Sequence, residues 1–288
     1  MLTVDQWRPR AERHEQRIGD FLAGYREDAP HPVWDFLFTY YSVRPGHLRC
    51  WHPGYGVVLA GAEAVARYRG RTGYVQCEQG MTVSEDHLAK RIVTVRFVAE
   101  LLAATAARPA QLNCFGMHEW AMVYRSTHVR HQAVPLRLGG EGTDAVVESM
   151  PLRCSHFDAF RFFTPEAVPR NAAQLTRDTQ LQTEQPGCLH ANMDLAKWAL
   201  KLGPLLESGL LADCLDLAAT ARELDMRASP YDLGAYGLTP IRVELPDGRA
   251  EYARRQADIA ARAAALRAAL LASCRHLAAD SKRFTGVG

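Results

Sequence analysis

HANMDLAKWALKLGPLLESGLLADCLDLAATARELD, residues 190–225, reads as two consecutive helices, one over 190–203 and one over 207–225. Gly203 and Pro204 separate them, because a proline cannot continue the hydrogen-bond ladder of the first. The same reading extends outward. Ser84 can cap a long helix reaching about Ala106, with Leu88, Ile92, Val95 and Val98 or Ala99 on one stripe. Residues 248–278 form an Ala/Arg-rich helix whose Ala, Leu and Ile face inward. Residues 4–24 carry Val4, Trp7, Ala11, Ile18, Phe21 and Leu22 at loose helical spacing on a charged segment, which predicts a surface helix. A further apolar helix is expected within HPVWDFLFTYYSVRP, residues 31–45, followed by loop through residue 56. The sequence 229–232, SPYD, has the form of a helix start. One stretch departs from the helical pattern: around GGEGT lie two short β-rich runs, which predict a hairpin over 133–151. The expected fold is mainly α, a single helical domain over 1–288 with that small β-hairpin insert.

Composition fits a globular chain able to bury a sizeable core, with 48% apolar and 23% charged residues. The seven cysteines are scattered singly without a CxxC pair, which reads as reduced thiols in the cytoplasm. The N-terminus is charged where a secretion signal is apolar, and no run approaches the roughly 18 apolar residues of a membrane span, so no membrane partner is expected. Residues 113–234 hold 11 Lys or Arg against 15 Asp or Glu, a net charge of −4. That balance offers no strongly basic groove for a phosphate backbone. There is no phosphate loop, nucleophile elbow or HExxH, which lowers nucleotide and serine hydrolysis among the alternatives.

Four motifs carry candidate chemistry. In CFGMHEWAMVYR, residues 114–125, His118 and Glu119 are helix neighbours about 100° apart, so one of the two is expected at a ligand; the alternative is a buried structural hydrogen bond. In CSHFDAFRFFTPEAVPRN, residues 154–171, His156 and Asp158 share a face if the segment is extended. An HxD pair with a distant histidine supplies a facial metal triad, and His118, His156, Asp158 and His190 are the candidate ligands for iron or zinc. The competing reading is a His and an Asp flanking a core Phe. In EQPGCLHANMDLAKWALK, residues 184–201, His190 and Asp194 stand at i and i+4 and can meet on one helix face or simply cap it. In ELDMRASPYDL, residues 223–233, Asp225, Arg227, Tyr231 and Asp232 crowd a turn; Arg227 can hold an anion or close the turn.

These motifs, together with HPVWDFLFTYYSVRP and the stretch from Leu175 to Lys201, resemble an actinobacterial family whose members are labelled 3-methyladenine DNA glycosylases, over nearly the whole chain. The resemblance implies an N-glycosylase acting on an alkylated or modified nucleobase, in a nucleoside or in DNA. That chemistry needs aromatic faces for the base, here Trp120, Tyr124, Phe157, Phe160 and Phe162, with Arg227 and Tyr231 as further binding candidates. It also needs a carboxylate facing the developing sugar cation, for which Glu119, Asp158 and Asp194 are the candidates. The chain lacks the helix-hairpin-helix signature of established alkyl-base glycosylases, so no catalytic position is carried over from them. Two alternatives stand beside this reading: a metal-dependent small-molecule enzyme, and an interaction protein without catalysis.

Overall fold

In the computed structural model, which describes residues 1–23, 31–126 and 134–285 (side chains through Ser281), the chain is mainly helical. The elements are α1 (Val4–Phe21), α2 (Phe36–Tyr40), α3 (Pro45–Leu48), β1 (Leu59–Ala60), α4 (Ala62–Tyr68), β2 (Tyr74–Cys77) and β3 (Gly80–Val83). They continue with α5 (Glu85–Ala106), α6 (Met117–Ala121), α7 (Gly139–Ser149), α8 (Phe157–Phe160), α9 (Gln180–Thr183), α10 (Leu189–Leu202), α11 (Ser208–Arg227) and α12 (Pro246–Thr285).

Helices α5, α10, α11 and α12 pack against one another and frame the main core. Ser84 caps α5, its Oγ accepting from the His87 N–H at 3.1 Å. α10 and α11 break at Gly203 and Pro204, as their sequences require. α12 is longer than its apolar pattern alone predicts, at 40 residues. α1 is not only a surface helix: Trp7, Ala11, His14 and Ile18, spaced by roughly one turn each, are buried. Trp7 joins a small satellite core with Trp51, Leu59, Tyr68 and Met81.

The β structure lies elsewhere than expected. Over the predicted hairpin at 133–151, residue 133 is outside the described residues and Gly139–Ser149 is helix α7, with Thr143, Val146 and Val147 on its inner face. The 3.6-residue spacing of those three outweighs the glycines, whose helix penalty is about 1 kcal/mol each and is offset by apolar burial. The sheet is instead the three-stranded antiparallel unit β1-β3-β2, with Leu59 opposite Met81 and Tyr74 opposite Val83. Gly80 permits the close crossing, since a Cβ there would lie 2.0 Å from the Leu59 carbonyl oxygen. The apolar segment at 31–45 gives only the short α2, and α3 occupies the start of the expected loop. SPYD starts no α-helix: the Ser229 hydroxyl donates back to the Met226 carbonyl at 2.6 Å, and Asp232 accepts from the Gly234 N–H at 3.0 Å, closing turns. No helix of the described residues is long and apolar enough to cross a membrane.

Candidate functional site

α10 carries His190, Asp194 and Lys197 at i, i+4 and i+7, a polar stripe on a helix whose other residues are Leu, Ala, Met and Trp apart from Asn192 and Lys201. α11 adds Arg222 and Asp225 at i and i+3. α6 adds His118 and Glu119 after a tight entry in which Phe115 and Gly116 both take left-handed backbone, φ +51° and +71°. A β-carbon-bearing residue held there is strained by roughly 1–3 kcal/mol, which the packing around α6 must hold in place. The turn directs His118 and Glu119 inward, and both are buried.

The ligand atoms of His118, His190 and Asp225 lie within 4.8 Å of one another, and all three residues are buried. His118 Nε2 is 2.8 Å from Asp225 Oδ1. The pair is nevertheless not aligned as a hydrogen bond, and among the described residues neither that nitrogen nor either Asp225 oxygen has a hydrogen-bond partner. The His118 and His190 rings stand nearly perpendicular, 84° apart with centroids at 4.5 Å. Cys114 Sγ lies 3.6 Å from His118 Nδ1 and orients the ring. Opposed ligands around one ion at about 2.1 Å are at most roughly 4.2 Å apart, so a small contraction brings this set to ligating distance. Burial disfavours charge on His118, but Asp225 outweighs it and holds the imidazole's pKa well above its usual range. The carboxylate of Asp225, penalised by burial but faced by His118, is drawn down to about 2. Burial and the neighbouring His118 push His190 down to about 3, leaving it neutral. A neutral imidazole is the form that ligates.

Beside this group runs a chain of alternating charges. His156 Nε2 sits 3.2 Å from Asp194 Oδ2 and 3.4 Å from Glu184 Oε1. Lys197 Nζ bridges Asp194 Oδ2 at 2.8 Å and Asp158 Oδ2 at 2.6 Å. Arg177, on the surface, completes the chain at 2.8 Å from Asp158 Oδ1. The Tyr40 hydroxyl donates to Asp194 Oδ1 at 3.3 Å. His156 stacks 5.4 Å from the His190 ring, which joins the two groups.

A narrow cleft reaches this region, lined by Phe36, Tyr40, Glu119, Met122, Asp158, Ala159, Phe162, His190 and Arg222, with about 20 Å³ of room, enough for roughly one water or ion. Of the residues expected from sequence, Glu119, Asp158, His190 and Phe162 line it, and His118, His156 and Asp194 lie buried behind it. His156 and Asp158 are held by Asp194, Glu184 and Lys197 and are not part of the His118–His190–Asp225 group. The remaining aromatic candidates point elsewhere. The Trp120 indole donates to the Ala228 carbonyl at 2.9 Å, and the Tyr124 hydroxyl donates to Glu148 at 2.9 Å. Phe160 packs on Phe163 in the core, and Phe157 lies under Arg177. Tyr231 is in a satellite core, and Arg227 Nε donates to the Thr239 carbonyl at 2.9 Å, closing its turn. Glu184, Lys197 and Arg222 belong to the site without having been expected there, and Asp225 was expected only as a turn residue. The signal for Arg222 and Asp225 was a charged side chain on an otherwise apolar stretch of α11, whereas Glu184 follows the one-turn α9 and left no such mark.

The acid behaviour of this cluster has a definite sign. Asp158, Asp194 and Asp225 are penalised by burial but held below the usual carboxylate range by Lys197, by Lys197 with His156, and by His118 respectively. Their contribution to stability is present above the unfolded value of roughly 4 and is lost as pH falls through the folded values. His118 and His156 are raised by their carboxylate neighbours against burial, so their contribution is present below roughly 6.5 and is lost as pH rises through their folded values. Thermal stability is therefore expected to pass through a maximum in the weakly acidic to neutral range. Melting temperatures across that range check this; a profile flat down to pH of about 2 contradicts the assignment.

Compared with protein families, with curated proteins and with solved structures, this chain finds no match in any of the three.

Proposed function

We propose that the protein is a metal-dependent enzyme acting on a small molecule, with His118, His190 and Asp225 holding one divalent ion. The observation that carries this reading is the buried group of two imidazoles and one carboxylate in which His118 Nε2 and both Asp225 oxygens lack hydrogen-bond partners among the described residues. A buried polar atom without a hydrogen-bond partner costs about 1–3 kcal/mol, and an ion held between His118, Asp225 and the nearby His190 would satisfy those of the first two. Two histidines and a carboxylate are the donor set of non-haem iron sites and of hydrolytic zinc sites, and they leave coordination positions open. An ion there would supply Lewis acidity and acidify a bound water. The protein's own part is to hold neutral His190 toward the cleft and to keep Asp194 and Asp158 charged through Lys197.

A second reading is cleavage of the N-glycosidic bond of a modified nucleobase. It is favoured by one observation, the aromatic walls Phe36, Tyr40 and Phe162 beside the carboxylates of Glu119 and Asp158. The cleft must open to admit a base, since its room of about 20 Å³ is that of roughly one water.

Elemental analysis of the purified full-length protein tests the first reading, with close to one equivalent of iron, zinc or a similar metal expected per chain. Base release from alkylated DNA and from free modified nucleosides, assayed with and without a chelator, separates the two readings. Release that survives complete metal removal favours the second. A metal-free protein that cannot be reconstituted counts against the first.

A further inference from the structure

Arg222 is buried on α11, where each guanidinium donor left without an acceptor is costly. Its NH1 group donates to Glu119 Oε1 at 2.9 Å and lies 3.5 Å from Asp225 Oδ2. The other edge differs: among the described residues neither Nε nor NH2 has a hydrogen-bond partner, although both are shielded from water. The plane of the group is set by Phe36, whose ring centroid is 3.9 Å from Arg222 Cζ. Stacking thus holds the guanidinium flat with one edge used and the two-donor edge free. That free edge is the fork that matches the two oxygens of a carboxylate. Arg222 lines the same cleft as His190, and Asp225 lies one helical turn along α11.

We infer that Arg222, through Nε and NH2, anchors the carboxylate of a small organic acid in this cleft, and that this acid is the substrate. The substrate role rests on the metal reading above, whereas the anchor itself does not. A purely structural Arg222 needs only the NH1 contacts to Glu119 and Asp225, and it leaves the free fork unexplained. The fork fits the oxygens of a carboxylate or a phosphate alike, and a carboxylate is preferred because the carboxylates of Glu119 and Asp158 share the cleft and repel a dianion more strongly than a monoanion. Binding requires the cleft to widen, since as it stands it holds roughly one water.

Cobalt(II) titrations of the full chain test this, because the visible bands of the ion report its ligands while calorimetry reports the anion. In the cobalt-loaded protein, glycolate is expected to bind and shift the bands, acetate to bind more weakly, and inorganic phosphate not to bind over the same range. Arg222→Lys, which keeps the charge but loses the fork, is expected to retain cobalt and to bind glycolate at least about 10-fold more weakly. If cobalt does not bind the wild type, the metal reading fails and acetate binding to the ion-free protein decides the anchor: loss in Arg222→Lys supports it, and no difference overturns it. If Arg222→Lys does not fold, Met122→Trp, which fills the cleft from another wall, takes its place. Unchanged glycolate affinity in that variant, or phosphate binding as tightly as glycolate, overturns the proposal.

Discussion

If His118, His190 and Asp225 hold a divalent ion as proposed, Asp225→Asn is expected to remove most of the stabilisation that ion would give the folded protein. A ligand that binds only the native state at about 1,000 times its dissociation constant adds roughly 4 kcal/mol, or on the order of 10 °C in Tm for a chain of this size. Altering even an outer partner of a metal ligand costs about 10–100-fold in affinity, so replacing the one carboxylate of the group is expected to cost at least about 100-fold. At the same ion concentration the variant then gains only about 1.4 kcal/mol. Thermal melts with zinc or iron(II), each paired with a chelator control, measure the difference. The comparison within each protein matters, because Asn at 225 also changes the ion-free fold by taking the carboxylate away from His118 and Arg222. Equal ion-dependent gains in wild type and variant would falsify the assignment of Asp225 as a ligand. His118→Ala is expected to behave in the same way, with a larger loss of intrinsic stability, because it leaves the buried Asp225 carboxylate without its closest cation.

Lys197→Met is expected to produce the largest loss of fold stability among single changes in the site that do not touch the proposed ligands. Lys197 is the cation shared by Asp158 and Asp194, at 2.6 and 2.8 Å, and Asp194 is fully buried. Removing one partner of a buried pair costs about 3–5 kcal/mol, because the remaining charge stays in a low-dielectric interior. For this chain that corresponds to a Tm lower by roughly 10 °C at neutral pH. Asp158 retains Arg177, and Asp194 retains His156 and the Tyr40 hydroxyl, so the lower half of the range is the expectation. The deficit should shrink as pH falls below about 4, where the stranded carboxylates take up protons in both folded and unfolded chains. Adding Asp194→Asn to Lys197→Met should recover part of the loss at neutral pH, since the two residues are in contact and their effects do not add. Urea denaturation of the two single variants and the double variant at pH of about 7 and 4 decides the point. A Lys197→Met protein as stable as wild type at neutral pH shows that Asp194 is neutral, or reached by water, in the folded chain.

How far the site could be read in advance depended on the kind of signal each residue left. His118, His156, His190, Asp158, Asp194 and Glu119 were legible as candidates because histidines and acids stand out in Gly- and Pro-punctuated motifs. Their grouping was not legible. The HxD spacing of His156 and Asp158 suggested one shared ion, yet the chain enters α8 directly after His156, so Asp158 lies in a helical first turn and is held by Lys197. His118 is instead matched with Asp225, which is 107 positions away in the chain. Arg222 left only the faint mark of a charge on an apolar helix face, and Glu184, at the end of a one-turn helix, left none.

The sequence by itself determined the helices, because their evidence is local: the apolar periodicity of α5, α10, α11 and α12, the Ser84 cap and the break at Gly203 and Pro204 all act within a few residues. Tertiary structure decided where local preference was weak or contradictory. Residues 139–149 are helical because Thr143, Val146 and Val147 find a core to face, which outweighs their glycines. It also decided which charges meet. Ion pairs and ligand sets depend on side chains brought within about 4 Å from distant parts of the chain, and burial then makes each pairing strong or each missing partner costly. Neither quantity is written in the spacing of residues along one segment.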